Sequence, residues 1–142
     1  MTTVATVSTN TEIVTRSFEG FDNADMEKFT SDWHPEIVFD TSGYDFWPLE
    51  QTEFRGVEEV VFIFGQFMSN VRSLEVHNLE VSDVDHEHVI ALYDEIRRER
   101  GSDEPVALKV GIVYRLDDDK IAHVRVFTDQ ARARAFAREL SG

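Results

Sequence analysis

Four side chains of this 142-residue chain have the chemistry to move a proton on a small molecule: Asp40, His77, Tyr93 and Glu95. A carboxylate enclosed by apolar side chains loses its hydration, its pKa rises, and it becomes a usable general base. Asp40 closes the run Glu36–Thr41 and is such a base if an apolar cup encloses it. In water, or accepting backbone N–H bonds from the Thr41–Gly43 turn, it is only a strand end. Tyr93 and Glu95 stand two apart, so in a strand they share a face. If that face is inward, the pair binds or protonates an oxygen of a ligand; if Leu92 and Ile96 face the core, Glu95 is solvated. His77 is either an acid–base partner for Asp40 or Glu95, or a half-exposed strand histidine.

Other chemistries lack their parts. The chain has no cysteine, which excludes disulfides, thiolate metal sites and a cysteine nucleophile. Ser17 has no base at a readable spacing. His86 and His88 flank a turn near Asp83 and Asp85, but strand alternation scatters these side chains, so no metal site and no cofactor are expected. Arg97, Arg98 and Arg100 sit among Glu95, Glu99, Asp103 and Glu104, the pattern of a solvated strand end.

The elements that must hold these groups follow from hydrophobic periodicity. Residues 1–9 are Thr/Val/Ser-rich and aperiodic, an expected flexible arm, and 10–142 read as one domain. A helix from Asn10 or Thr11 to about Gly20 carries Ile13, Val14 and Phe18; Asp22 or Asn23 caps a short second helix ending near Trp33, and Pro35 breaks it. Residues 36–41 read as a strand, 49–55 as its return, and Val57–Val71 as a helix whose apolar stripe Phe62 and Ile63 widen. Four strands follow, at about 73–83, 87–99, 105–117 and 120–128, and a last helix spans Gln130–Leu140 behind Asp129.

Helices, a hairpin, another helix and a meander of long strands make an α+β fold. A curved antiparallel sheet wrapped around the N-terminal helices forms a cone. Nine of the eleven Phe and both Trp fall within residues 1–67, the part that packs into it, so the cavity is apolar and suits a small apolar molecule. Its expected aromatic lining is Tyr93, Tyr44, Trp47, Trp33 and Phe64, with Tyr44, Phe46 and Trp47 in a loop at the mouth. Tyr114, Val126 and Thr128 complete the expected lining from the last two strands.

Charge narrows the partners. Fourteen Lys and Arg against 28 Asp and Glu give a net charge of −14, which repels phosphate backbones and anionic membranes. No nucleic acid and no membrane are expected as partners. The same acidity fits a salt-adapted host or simply a solubilised surface. No stretch approaches a membrane span and the N-terminus lacks the form of a signal peptide, so a cytoplasmic protein is the default expectation.

Several strings, in order, resemble the SnoaL-like branch of the nuclear transport factor 2-like superfamily, which also holds ketosteroid isomerases and limonene epoxide hydrolases. They are Asp25-Met26-Glu27-Lys28-Phe29, then Trp33-His34-Pro35-Glu36-Ile37-Val38-Phe39-Asp40, then Phe54-Arg55-Gly56 opening a helix, and Lys120 through Asp129. The resemblance spans about residues 10–130 and implies a homodimer through the outer face of the sheet, with Val113, His123, Arg125 and Phe127 there if even-numbered positions face the cup.

The resemblance also implies Asp40 as the general base of the isomerases, whose other parts do not carry over. Ser17 stands at the helix-one Tyr position and Ile112 at the protonated Asp, so the oxyanion donors are absent. Loss of one such donor costs about 2.7–4 kcal/mol of transition-state stabilisation. The inward last-strand Asp of the cyclases and hydrolases matches Val126, or Arg125 with a one-residue gap. The hydrolases' middle-strand Arg and Asp match Tyr93 and Glu95. Two functions stay open: a cofactor-independent isomerase, cyclase or hydrolase on a small apolar substrate, with Asp40 as base and Tyr93, Glu95 or His77 as donors, and a non-catalytic ligand-binding or dimerisation module of the same fold.

Overall fold

A computed structural model describes residues 9–45 and 49–141. Of the expected arm, only Thr9 is among them, and it opens the first helix. The elements are α1 (Thr9–Asp22), α2 (Met26–Thr30), β1 (Trp33–Gly43), β2 (Glu53–Arg55), α3 (Val57–Ser69), β3 (Val71–Asp83), β4 (His88–Glu99), β5 (Val106–Asp117), β6 (Lys120–Phe127) and α4 (Gln130–Ser141). The strands form one curved sheet in the order β2-β1-β6-β5-β4-β3. Every pairing is antiparallel except β1 with β6, which run parallel. Most of the chain separates those two strands, which gives the long crossover a parallel pair needs.

The concave side holds the main core. There α1 buries Ile13, Val14, Ser17 and Phe18 at helical spacing, and α3 buries Val60 and Ile63. Against them β4 presents Val89, Ala91 and Tyr93, and β5 presents Val110, Ile112, Tyr114 and Leu116. Phe62 is 66% exposed and does not widen the α3 stripe: it stands one position, about 100° of helix, from the buried Ile63. Pro35 does not break the chain out of the sheet. It lies where the β1–β6 register shifts between Trp33 and Val38, a bulge that tolerates a residue without an N–H. The β5–β6 hairpin turns through Asp118 and Asp119, both with positive φ, as a tight two-residue turn requires.

The helices are not all on one side. α4 covers the convex face, where Ala133 and Ala137 pack with Phe136 against Ile90, Leu92, Val113 and Phe127. The middle of β5 is therefore buried on both faces, although its sequence alternates as if one were wet. No helix among the described residues is long and apolar enough to cross a membrane.

Candidate functional site

Strand alternation and helix stripes converge on one concave cavity of about 100 Å³, partly open to solvent. Trp33 and Phe39 of β1, Phe64 and Phe67 of α3, and Phe18 and Phe21 of α1 build its aromatic walls. Edge-to-face contacts lock these rings: Phe29 lies 4.9 Å from Trp33 and 5.2 Å from Phe64, and Phe39 lies 6.0 Å from Phe64. The polar side chains on the wall are Ser17, Thr41, Tyr44, Tyr93, Glu95 and Tyr114, so all three tyrosines of the chain are present. Two of these groups are already bonded to backbone: Ser17 Oγ donates to Phe29 O at 2.8 Å, and Thr41 Oγ1 to Thr52 O at 3.1 Å.

Glu95 is the singular group. It is 4% exposed, yet it borders an aromatic cavity. Arg97 follows it on the same face of β4, is equally buried, and sets Nη1 3.5 Å from Glu95 Oε2. The Arg97 guanidinium also donates to the Tyr44 hydroxyl, and that hydroxyl donates to the Glu95 carboxylate, closing a three-membered network. Arg97 Nη2 reaches Glu99 at 3.4 Å, and its guanidinium stands 5.5 Å from the Phe67 ring centre. Burial raises the Glu95 pKa above its ordinary value; the Arg97 charge and the Tyr44 hydrogen bond oppose this without cancelling it. Burial, reinforced by the Glu95 charge, pushes Tyr44 up to about 12, so its hydroxyl stays protonated across the working pH range.

The loop after β1 brings Tyr44 to this network. Thr128 Oγ1 donates to Asp45 at 2.7 Å, and Asp45 N donates back to Thr128 at 3.2 Å. Arg132 Nη1 adds a 3.3 Å contact to Asp45 from α4. Thr128 thus corrects one expectation: it lies just past β6 and ties down the loop instead of lining the cavity. Tyr93, Tyr44, Trp33, Phe64, Tyr114 and Val126 do line it. Trp47 and Phe46 lie outside the described residues.

Two expected catalytic residues are elsewhere. Asp40 follows the inward Phe39 and precedes the inward Thr41, so its side chain falls on the opposite face of β1. There Oδ1 accepts from Ser42 N at 2.8 Å, and Oδ2 lies 3.9 Å from Arg125 Nε. That is the strand-end arrangement, away from the cavity. His77 likewise alternates with the inward Leu74 and Val76; its side chain is 52% exposed and contacts Glu75 at 3.1 Å. It meets neither Asp40 nor Glu95.

The residue that the sequence reading missed is Arg97, taken there for part of a solvated cluster. Its signal was the two-residue spacing Tyr93-Glu95-Arg97, which places all three on one face. The His88 ring bonds Asp85 at 2.9 Å beside the β3–β4 turn. Among the described residues no group of three His, Asp or Glu side chains is arranged to hold a metal.

The aligned positions behave as one set. Ser17, Tyr93, Glu95, Ile112 and Val126, the positions that the resemblance pointed to, all border the cavity. Arg125 points away, its guanidinium 4.5 Å from the Phe136 ring centre on the convex face. His123 shares that face, and burial lowers its pKa although the Asp40 charge pulls the other way.

Solved structures share this architecture. An NTF2-like protein of unknown function from Burkholderia pseudomallei K96243 matches with TM-score 0.76 at 18% identity, over 89% of this chain and 95% of its own. TerC, co-crystallised with polyporic acid, matches with TM-score 0.74 at 15% identity, over 92% and 99%. A candidate polyketide cyclase from Pseudomonas putida KT2440 matches with TM-score 0.68 at 18% identity, over 88% and 95%. No curated protein matches the sequence. These likenesses establish the fold, and the model of the SnoaL-like domain matches residues 14–124. With its cone-shaped sheet, its concave aromatic cavity and that match, the chain belongs to the SnoaL-like domain family.

Proposed function

We propose that the cavity binds a small, largely apolar ring compound and moves a proton on it without a cofactor, with Glu95 as the general base. The observation that carries this reading is a carboxylate 4% exposed on a largely apolar wall, its pKa raised by burial. A group so tuned abstracts a proton from carbon next to a carbonyl more readily than a solvated carboxylate. Tyr44 and Arg97 hold it in place. Apolar cavities of roughly 150 Å³ accept benzene, so this partly open cavity of about 100 Å³ suits at most one ring inside, with the rest of the molecule toward the opening. In support, TerC, on the same fold, is co-crystallised with polyporic acid, and a candidate polyketide cyclase shares that fold.

Asp40 has no part in this reading, because its side chain is on the far side of β1. A second copy of the chain is proposed as the partner. It would meet the convex face beside α4, which already covers Val113 and Phe127; sedimentation across a concentration range tests this.

The test is hydrogen–deuterium exchange at C2 of 1-indanone in deuterated buffer. Glu95 takes the C2 proton, negative charge passes to the carbonyl oxygen, and the enolate regains a deuteron from the carboxyl group after solvent exchange. Catalysed exchange that falls about 10²–10⁴-fold in Glu95→Gln is the expected result. Exchange no faster than buffer, with the ketone bound, favours the second reading: a ligand-binding module. The Arg97 pairing favours that reading too, since it satisfies Glu95 as a structural ion pair would.

A further inference from the structure

Tyr93 and Tyr114 are the polar groups of the wall that neither the network around Glu95 nor a backbone carbonyl engages. Both line the cavity and are 8% and 7% exposed. Neither hydroxyl has a hydrogen-bond partner among the described residues, and neither is among the fully enclosed, unpartnered atoms, so both touch the open space of the cavity. Phe18 packs edge-on against both rings, 5.4 Å from Tyr93 and 6.4 Å from Tyr114, which fixes the two on the same flank. Two rigid hydroxyls without partners in an apolar wall are costly unless something bonds them, and here no protein group does.

We infer that Tyr93 and Tyr114 form the acceptor-binding end of the cavity, donating hydrogen bonds to a carbonyl oxygen of the bound molecule. The inference rests on the reading of the cavity as a ligand site and names its ligand class: apolar ring compounds that carry a carbonyl. Burial holds both phenols above their ordinary value of 10, so each keeps the proton it donates. Negative charge on Glu95 opposes ionisation of Tyr93 further, which places base and donor within electrostatic reach of each other. As the base removes a proton, charge builds on the carbonyl oxygen, and these donors face it. They stand on strands, at positions other than the helix-one Tyr and strand Asp that Ser17 and Ile112 replace.

The experiment compares 1-indanone with indane, the same rings without the carbonyl, by calorimetric titration of the wild-type chain, Tyr93→Phe, Tyr114→Phe and the double variant. Phe keeps each ring, and urea unfolding checks that the variants fold. The ratio of indane to indanone Kd is expected to fall about tenfold in the double variant, the worth of the lost hydrogen bonding. The infrared carbonyl band of bound ¹³C-labelled indanone should move to higher frequency with it. A ratio and band unchanged in the double variant overturn the inference while leaving the cavity reading intact. Failure of both probes to bind the wild-type chain overturns the two together. Loss of exchange in Glu95→Gln without any dependence on the tyrosines leaves only the base.

Discussion

Glu95 and Arg97 stand two residues apart on β4, each 4% exposed, with 3.5 Å between carboxylate and guanidinium on the concave face of the sheet. Two opposite charges withdrawn from water in this way depend on each other: desolvating either alone costs several kcal/mol. Arg97→Met is therefore expected to destabilise the fold by about 3 kcal/mol in urea unfolding. Adding Glu95→Gln should recover part of that loss by removing the stranded charge. A double variant no more stable than Arg97→Met contradicts the coupling.

The pH dependence of stability follows from the Glu95 carboxyl. Its folded pKa is raised above an ordinary value near 4.5, so the folded chain holds this proton to higher pH than the unfolded chain does. Its contribution is fully present below 4.5 and is lost as pH rises through the raised folded value. The Glu95→Gln variant stays neutral and lacks this loss. Its stability relative to wild type should improve from pH 4.5 upward until Glu95 is fully ionised, as measured by urea unfolding at a series of pH values. A constant difference across that window speaks against a raised pKa.

How much of this site is legible in the sequence depends on which side each strand shows. The order of elements and the inward set of β5, Val110, Ile112 and Tyr114, follow from alternation alone. On β4 the same alternation leaves two answers, because Leu92 and Ile96 are as apolar as Tyr93. Only packing against α1 on one side and α4 on the other decides it. Arg97 was misread for a local reason: its sequence neighbours are charged, but its neighbours in space are Tyr44 and Phe67, 53 and 30 residues earlier in the chain. Asp40 fails by a single step of pleat. A one-residue change of phase moves every side chain of a strand to the other face, and the bulge at Pro35 hides the phase of β1 from its sequence. The amphipathic α4 announces a covered face of the sheet without saying which.

Asp40→Asn is accordingly expected to leave 1-indanone exchange within about twofold of wild type, a change well below the tenfold that about 1.4 kcal/mol represents. The Asn side-chain oxygen can still accept from Ser42 N, and the 3.9 Å approach to Arg125 is a long, part-exposed pair. Such pairs contribute about 0–1 kcal/mol, so unfolding stability should drop by no more than that. A large fall in exchange with stability retained would return Asp40 to the site.

Gly43 tests how the Tyr44 loop is held. It has no side chain, and β6 fills the space one would occupy: a Cβ there would stand 2.5 Å from Phe127 Cδ1 and 2.8 Å from Val126 O. The Val126 carbonyl is backbone within the sheet. Phe127 is 3% exposed and packs 5.6 Å from the Phe136 ring under α4, so neither yields cheaply. Gly43→Ala must push the end of β1 away from β6, at about 1–3 kcal/mol of stability. The next residue is Tyr44, so the displacement should also weaken its bond to Glu95 and lower 1-indanone exchange. Gly65 on α3 is the control: no heavy atom among the described residues lies within 4 Å of a Cβ there. Gly65→Ala gains up to about 1 kcal/mol from helix propensity alone. Opposite signs for the same substitution, read in one set of urea melts, are the expected result, and equal signs would show that the strand end is not clamped as described.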